Sequence, residues 1–148
     1  MSSDPIVVGT DGSATAEIAV AKAAELARAL GAQVHVVTAY SSRSAGTWMS
    51  GTAGVAVLDV SDDEYPRQTA HEVVDRTRSR LEREGVAVTT HVCEGEPAEA
   101  LVTIAADQQA QMIVVGNRGM AGARRVLGSV PNRVSHRARC GVLIVPTS

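Results

Sequence analysis

Five short aliphatic runs, separated by helix-length stretches, constrain the fold of this chain more than any other feature. They are Ile6-Val7-Val8, Val34 to Ala39, Val86 to Val92, Met112-Ile113-Val114-Val115 and Val142-Leu143-Ile144-Val145. Runs this short, rich in Val and Ile, read as buried strands. Ala14 to Leu30 reads as a helix with Ile18, Ala21, Leu26 and Leu30 on or near one face and Gly31 as its stop. A second helix is expected from Ser61-Asp62-Asp63-Glu64, which resembles a capping box reinforced by Pro66, to Glu84, burying Val73, Val74, Thr77 and Leu81. A third runs from Pro97 to about Gln108 and a fourth from Ser129 to about Arg139. Strand and helix therefore alternate, which predicts an α/β fold with a mostly parallel sheet and right-handed crossovers.

Composition agrees with a close-packed α/β core. The 148 residues suit one domain spanning 1–148, with no linker or repeat. Apolar residues at 45% and charged residues at 20% exclude a disordered chain. There is no Phe, and Trp48, Tyr40 and Tyr65 are the aromatic residues, so the core must come from 23 Ala, 22 Val and the Ile and Leu. Small aliphatics let helices lie close on a buried parallel sheet. One stretch, about 40–63, is rich in Ser and Gly and lacks a period. It reads as a loop or insertion, and loops of that length are commonly functional. A lid over a ligand, carrying Trp48, is one reading of it.

Several classes are disfavoured. No uncharged stretch is long enough for a membrane span of about 20 residues. The start, Met1 to Pro5, has neither a basic nor an apolar signal region, so a cytoplasmic location is expected. Cys93 and Cys140 form neither a CxxC pair nor a zinc-ligand set. His35 and His91 can be neighbours on adjacent strands, but no acid or Cys completes a metal set, so a structural role is expected and no metal site is assigned. His71 and His136 fall on helices and should face solvent. Glu94 and Glu96 sit in a strand-to-helix turn before Pro97, where they favour the helix N-terminus rather than act as a general acid pair.

Charge is unevenly placed. Residues 1–107 carry all 16 acids and 8 of the 14 Lys and Arg, whereas 108–148 carry six Arg and no acid. That asymmetry fits either an anionic ligand near the C-terminal third or a basic face balancing acidic neighbours. Nucleic acid is the poorer anion, because the chain is net acidic and no aromatic platform accompanies the Arg cluster.

In open parallel sheets, ligands bind beyond the C-terminal strand ends where strand order reverses. Two strand ends carry unusual loops: Gly9-Thr10-Asp11-Gly12-Ser13, and Gly116-Asn117-Arg118-Gly119 continuing to Gly128-Ser129. In the second, Gly116 and Gly119 let backbone approach an anion, Gly128-Ser129 opens a helix, and Arg118, Arg124 and Arg125 add positive charge. The competing reading makes Ser129 an N-cap and the glycines turns. Asp11 has its own local alternative, an Asx-turn that binds nothing. A P-loop is excluded because the sole Lys, Lys22, lies inside the first helix, and Gly116, Gly119 and Gly122 do not follow the GxGxxG spacing.

The Val7-Val8-Gly9-Thr10-Asp11-Gly12-Ser13 start resembles the universal stress protein family. So does the finish, Val114-Val115-Gly116-Asn117-Arg118-Gly119 followed by Gly128-Ser129-Val130 and Val142-Leu143-Ile144-Val145. The resemblance covers all but the 40–63 loop. ATP-binding members carry G-x2-G-x9-G-(S/T); here eight residues, Met120 to Leu127, separate Gly119 from Gly128, which shortens the loop over the phosphates.

The resemblance implies an open, Rossmann-like five-stranded parallel sheet in the order 3-2-1-4-5 with helices on both faces. It also implies a nucleotide across the ends of strands 1 and 4. Carried over, Asp11 contacts the nucleoside, the backbone near Ala39 the adenine, Gly116 and Gly119 the ribose and phosphates, and Gly128, Ser129 and Val130 the phosphates. Gly9, Thr10, Val115 and Arg118 complete the implied cofactor-binding set. It places Cys93 and Cys140 on opposite edges, with no disulfide between them. The implied function is a regulatory ATP-binding homodimer of the stress response, taking ATP with Mg2+ and pairing through Val142–Val145, with no catalytic residues. Three alternatives remain: a cyclic AMP-binding member, an adaptor dimer without nucleotide, and a slow ATPase. The loops offer no His, Glu or Lys as a general base, which weighs against the last.

Overall fold

A computed structural model describes residues 3–41, 64–117 and 128–147. Five strands, β1 (Ser3–Gly9), β2 (Ala32–Tyr40), β3 (Val88–Glu94), β4 (Met112–Gly116) and β5 (Gly141–Val145), form one sheet in the order β3-β2-β1-β4-β5. Every neighbouring pair is parallel. Among the described residues, four helices alternate with them: α1 (Ala14–Leu30), α2 (Glu64–Arg83), α3 (Pro97–Asp107) and α4 (Ser129–Arg137). Strand order reverses between β1 and β4, because the chain builds outward to β3 before crossing back.

Period-two alternation sends side chains to two separate cores. Ile6, Val8, Val34, Val36 and Val114 pack under α1 and α2, with Val74 and Leu81 of α2 in the same cluster. Val7, Val37, Ile113 and Val115 pack under α3 and α4, with Ala98, Leu101 and Val134. Both faces of the central strands are therefore dry, as their near-continuous apolar sequence requires. Val73, Val74, Thr77 and Leu81 of α2 are buried as expected. The capping-box residues Ser61–Asp63 lie outside the described residues, as do Trp48 and most of the 40–63 loop.

The inner face of α1 is not the one its large residues suggest. Ile18 and Leu30 are both 43% exposed and Ala21 is exposed, while Ala19, Val20, Ala23, Ala24 and Ala27 are buried. Leu26 is half-buried against the same cluster. The alanine face has little side-chain bulk, so the helix backbone can settle near the sheet, and the larger residues are left at the flanks. Cys93 on β3 and Cys140 just before β5 lie at opposite edges of the sheet. Among the described residues, no helix is long and apolar enough to cross a membrane.

Candidate functional site

The loop after β1 is fastened to its neighbours by its own polar atoms. Thr10 N–H donates to Val37 O at 3.0 Å, and Thr38 Oγ1 donates to Thr10 O at 2.8 Å, tying the loop to β2. Gly12 N–H donates to Thr10 Oγ1, and Ser13 N–H donates to Asp11 Oδ1 at 2.9 Å. Asp11 does make the Asx-turn that its sequence allows, and its carboxylate remains on the exposed rim. Gly12 has φ +83, and a Cβ there would stand 2.9 Å from Val73 Cγ2 of α2, so both conformation and packing demand glycine. Ser13 then caps α1, accepting from Ala16 N–H.

The second loop starts from an anchored point. Asn117 N–H donates to Val145 O at 3.0 Å, and Asn117 Oδ1 accepts from both Thr147 N–H and Thr147 Oγ1 at 3.1 and 2.7 Å. A Cβ on Gly116 would stand 2.9 Å from Thr147 Cγ2. The absent side chain thus accommodates the protein's own C-terminal segment, a reason for glycine that differs from the expected close approach of an anion. Arg118, Gly119, Arg124 and Arg125 lie outside the described residues.

Among the described residues, the helix beyond that loop begins without a side-chain cap. Gly128 is the N-cap of α4, with φ −62 and ψ 164, and supplies no side-chain cap. Ser129 is the first helical residue rather than the cap, so its exposed hydroxyl is not consumed in ending the helix. The N–H groups of Ser129 and Val130 belong to the first turn and have no intrahelical acceptor; Pro131 brings none. Across from it, α3 begins at Pro97 with Glu96 as N-cap, whose carboxylate accepts from Ala98 and Glu99 N–H at 3.2 and 3.1 Å.

These strand and helix ends surround one cavity of about 390 Å³. Of the residues singled out in the sequence, Gly9, Thr10, Asp11, Ala39, Val115, Gly116, Ser129 and Val130 line it. Gly128 is buried directly behind Ser129 without lining it. Ser13 of the first loop also lines the wall, as do Thr15, Ala16, Val37, Pro97, Leu101 and Pro131, which the sequence reading did not single out as site residues. Leu101 comes from α3, across the sheet, and no local motif marks it. The cavity wall includes buried Val37, Leu101 and Val115 together with buried Thr10, and its exposed polar residues are Asp11 and Ser129. Its size falls in the small-ligand range of roughly 300–1,000 Å³. The apolar wall residues suit a flat heterocycle, and the open α4 terminus suits an anion.

The remaining titratable candidates sit elsewhere. His35 Nδ1 and His91 Nε2 are 2.8 Å apart across β2 and β3, with rings stacked at 5.1 Å. Burial lowers the pKa of both, and for His35 the neighbouring His91 lowers it further. Burial raises both thiol pKa values, at Cys93 and Cys140, which disfavours the reactive thiolate. His71 and His136 are exposed. Among the described residues, no group of three or more His, Cys, Asp or Glu could hold a metal ion.

The fold recurs in known proteins. The model of the universal stress protein family matches residues 3–146. Universal stress protein Rv1636 of Mycobacterium tuberculosis is 35% identical over 149 residues, covering 97% of this chain and 96% of its own. A universal stress protein solved in complex with cAMP is 31% identical, superposes with a TM-score of 0.73 and is covered over 100% of both chains. One from Archaeoglobus fulgidus, solved with dAMP, is 27% identical with a TM-score of 0.70, covering 97% of this chain and 98% of its own. With the strand order, the two loops and a match across nearly its whole length, this chain belongs to the universal stress protein family.

Proposed function

We propose that the cavity between the β1 and β4 ends binds an adenine nucleotide, and that the protein acts as a nucleotide-responsive regulator rather than as a metabolic enzyme. The observation that carries this reading is the side-chain-free N-terminus of α4 beside a cavity walled in part by Val37, Leu101 and Val115. Adenine rests on Val37, Leu101 and Val115 near Ala39, the ribose lies toward Asp11, and the phosphate reaches Ser129 and Val130. A carboxylate at Asp11 repels a phosphate but can accept from ribose hydroxyls, which fixes this orientation. ATP with Mg2+ is the leading ligand, its outer phosphates held by the segment containing Arg118 and Gly119.

A second reading, cyclic AMP or another adenine monophosphate, is favoured by Pro131. With no N–H at the third helical position, α4 offers two backbone donors and the Ser129 hydroxyl, a set matched to one phosphate. The family relatives solved with cAMP and dAMP also hold monophosphates.

Among the described residues lining the cavity, Asp11 alone is ionisable, and its carboxylate already accepts from Ser13 N–H. Asp11, on the nucleoside side, is then the one acid on hand for proton transfer, and turnover above about 1 s⁻¹ would overturn the regulatory reading. We further infer a cytoplasmic homodimer paired through the β5 edge, Val142–Val145, whose Val142, Leu143 and Ile144 are half-buried. Asn117 joins the nucleotide loop to that strand, a route by which ligand can alter partner binding.

A thermal-shift series with ATP, ADP, AMP, cyclic AMP and GTP, with and without Mg2+, tests this. Ligand at 100 times its Kd adds about 2.7 kcal/mol, which is roughly 5–10 °C for a chain of this size. A shift with adenine nucleotides and none with GTP is expected. No shift with any, in protein free of carried nucleotide, would transfer the protein to the adaptor reading.

A further inference from the structure

Helices α3 and α4 lie side by side on one face of the sheet, and two ion pairs bridge them: Glu96 with Arg133, and Glu99 with Arg137. The first stands at the level of the cavity mouth. Glu96 immediately precedes Pro97, a wall residue, and Arg133 is four residues after Ser129, on the same face of α4. Residues at i and i+4 are surface neighbours, and a long helical side chain leans toward the helix N-terminus. The Arg133 stem therefore runs back toward Ser129, and its Nη1 meets Glu96 Oε1 at 3.2 Å.

Glu96 does not depend on that arginine. Its carboxylate is held by two backbone N–H groups and by the positive end of α3. Arg133 is half-exposed, and a solvent-screened pair of this kind is weakly held. A phosphate at the Ser129 hydroxyl and the α4 N–H groups would present a doubly charged, multidentate acceptor within reach of the same guanidinium.

We propose that Arg133 is a phosphate ligand of the nucleotide site, parked on Glu96 when no nucleotide is bound and transferred to the phosphate on binding. Glu96 is then its competitor and sets how strongly the site favours a phosphorylated ligand over the bare nucleoside. This rests on the adenine-nucleotide reading above and adds to it a residue outside the glycine motif.

The test is calorimetric titration of AMP and adenosine into wild type, Arg133→Gln, Arg133→Lys and Glu96→Gln. For Arg133→Gln, AMP affinity should fall about 10-fold, the loss of one charge-assisted contact. Adenosine affinity should stay within about twofold, since the nucleoside does not reach the α4 terminus. Arg133→Lys should restore part of the loss, and Glu96→Gln should strengthen AMP binding by releasing the arginine. Arg133 is exposed, so the fold should survive, which an unchanged ligand-free melting temperature checks. If wild type prefers AMP to adenosine and Arg133→Gln keeps that preference, the Arg133 assignment is overturned and the nucleotide site stands. If wild type binds neither compound, the adenine reading fails and takes the assignment with it.

Discussion

Helices α3 and α4 both begin at the cavity, on the same face of the sheet, and they begin in opposite ways. At α3 the chain supplies its own anion: the Glu96 carboxylate takes the N–H groups of Ala98 and Glu99. At α4 the cap is Gly128, which has no side chain to offer, and Ser129 follows with its hydroxyl exposed. Among the described residues, two helix ends of similar dipole thus differ in whether a side chain answers their charge. A closed end stabilises the fold, and an open one keeps affinity for an anion from outside. The N-terminus of α1, capped by Ser13, belongs with the closed kind.

The contrast can be broken most severely by giving α4 the charge that α3 already has. Ser129→Asp should lower nucleotide affinity about 100-fold or more through like-charge repulsion. It should leave melting temperature unchanged or slightly raised, because an acid in a first turn favours the helix. Affinity and stability moving in opposite directions, read by titration and by calorimetric melting, is the expected signature.

A milder change removes the hydroxyl alone. Ser129→Ala should cost about 1–2 kcal/mol of nucleotide binding. Because Ser129 is not the N-cap, stability should hold; a drop near the usual capping loss of about 1 kcal/mol would assign it the capping role instead.

The reverse experiment opens the closed end. Glu96→Ala should destabilise the protein by about 1 kcal/mol, roughly 2–4 °C in melting temperature, without weakening nucleotide binding. An equal loss of affinity would mean that the Glu96 cap also shapes the site, and the division between a structural end and a binding end would fail.

The smallest effect lies away from both helices, at the His35–His91 pair. Burial, and for His35 also its neighbour, depresses the folded-state pKa below the ordinary value of 6.5. A depressed folded pKa means that the unfolded chain binds protons first as pH falls. Stability is full above about 6.5 and is lost as pH falls from there through the folded values. Melting temperature should therefore decline below that pH, and less in His35→Gln. The decline should be equal with and without nucleotide, since neither histidine lines the cavity.

Much of this was legible in the sequence, for reasons that differ by region. Strand and helix alternation depends on local periodicity, so the elements appeared in order and α1 was placed from Ala14 to Leu30, as observed. Side-chain size marks the face of Ile18 and Leu30, whereas close approach to the sheet selects Ala19, Ala23, Ala24 and Ala27. The two cavity loops were visible because their glycines and polar residues are contiguous. Leu101 and Pro97 were not, since only the β3-to-β4 crossover brings α3 over β1. The meeting of Glu96 with Arg133 depends on two helices packing together and leaves no local mark.

The central claim, that the open end of α4 receives the phosphate while the capped end of α3 does not, can be read amide by amide. Cyclic AMP would be titrated into isotope-labelled protein while backbone amide resonances are followed by NMR. The account predicts that Ser129 and Val130 shift strongly as the ligand saturates, with Ala98 and Glu99 nearly still. Large shifts at Ala98 and Glu99 with Ser129 and Val130 unmoved would contradict it.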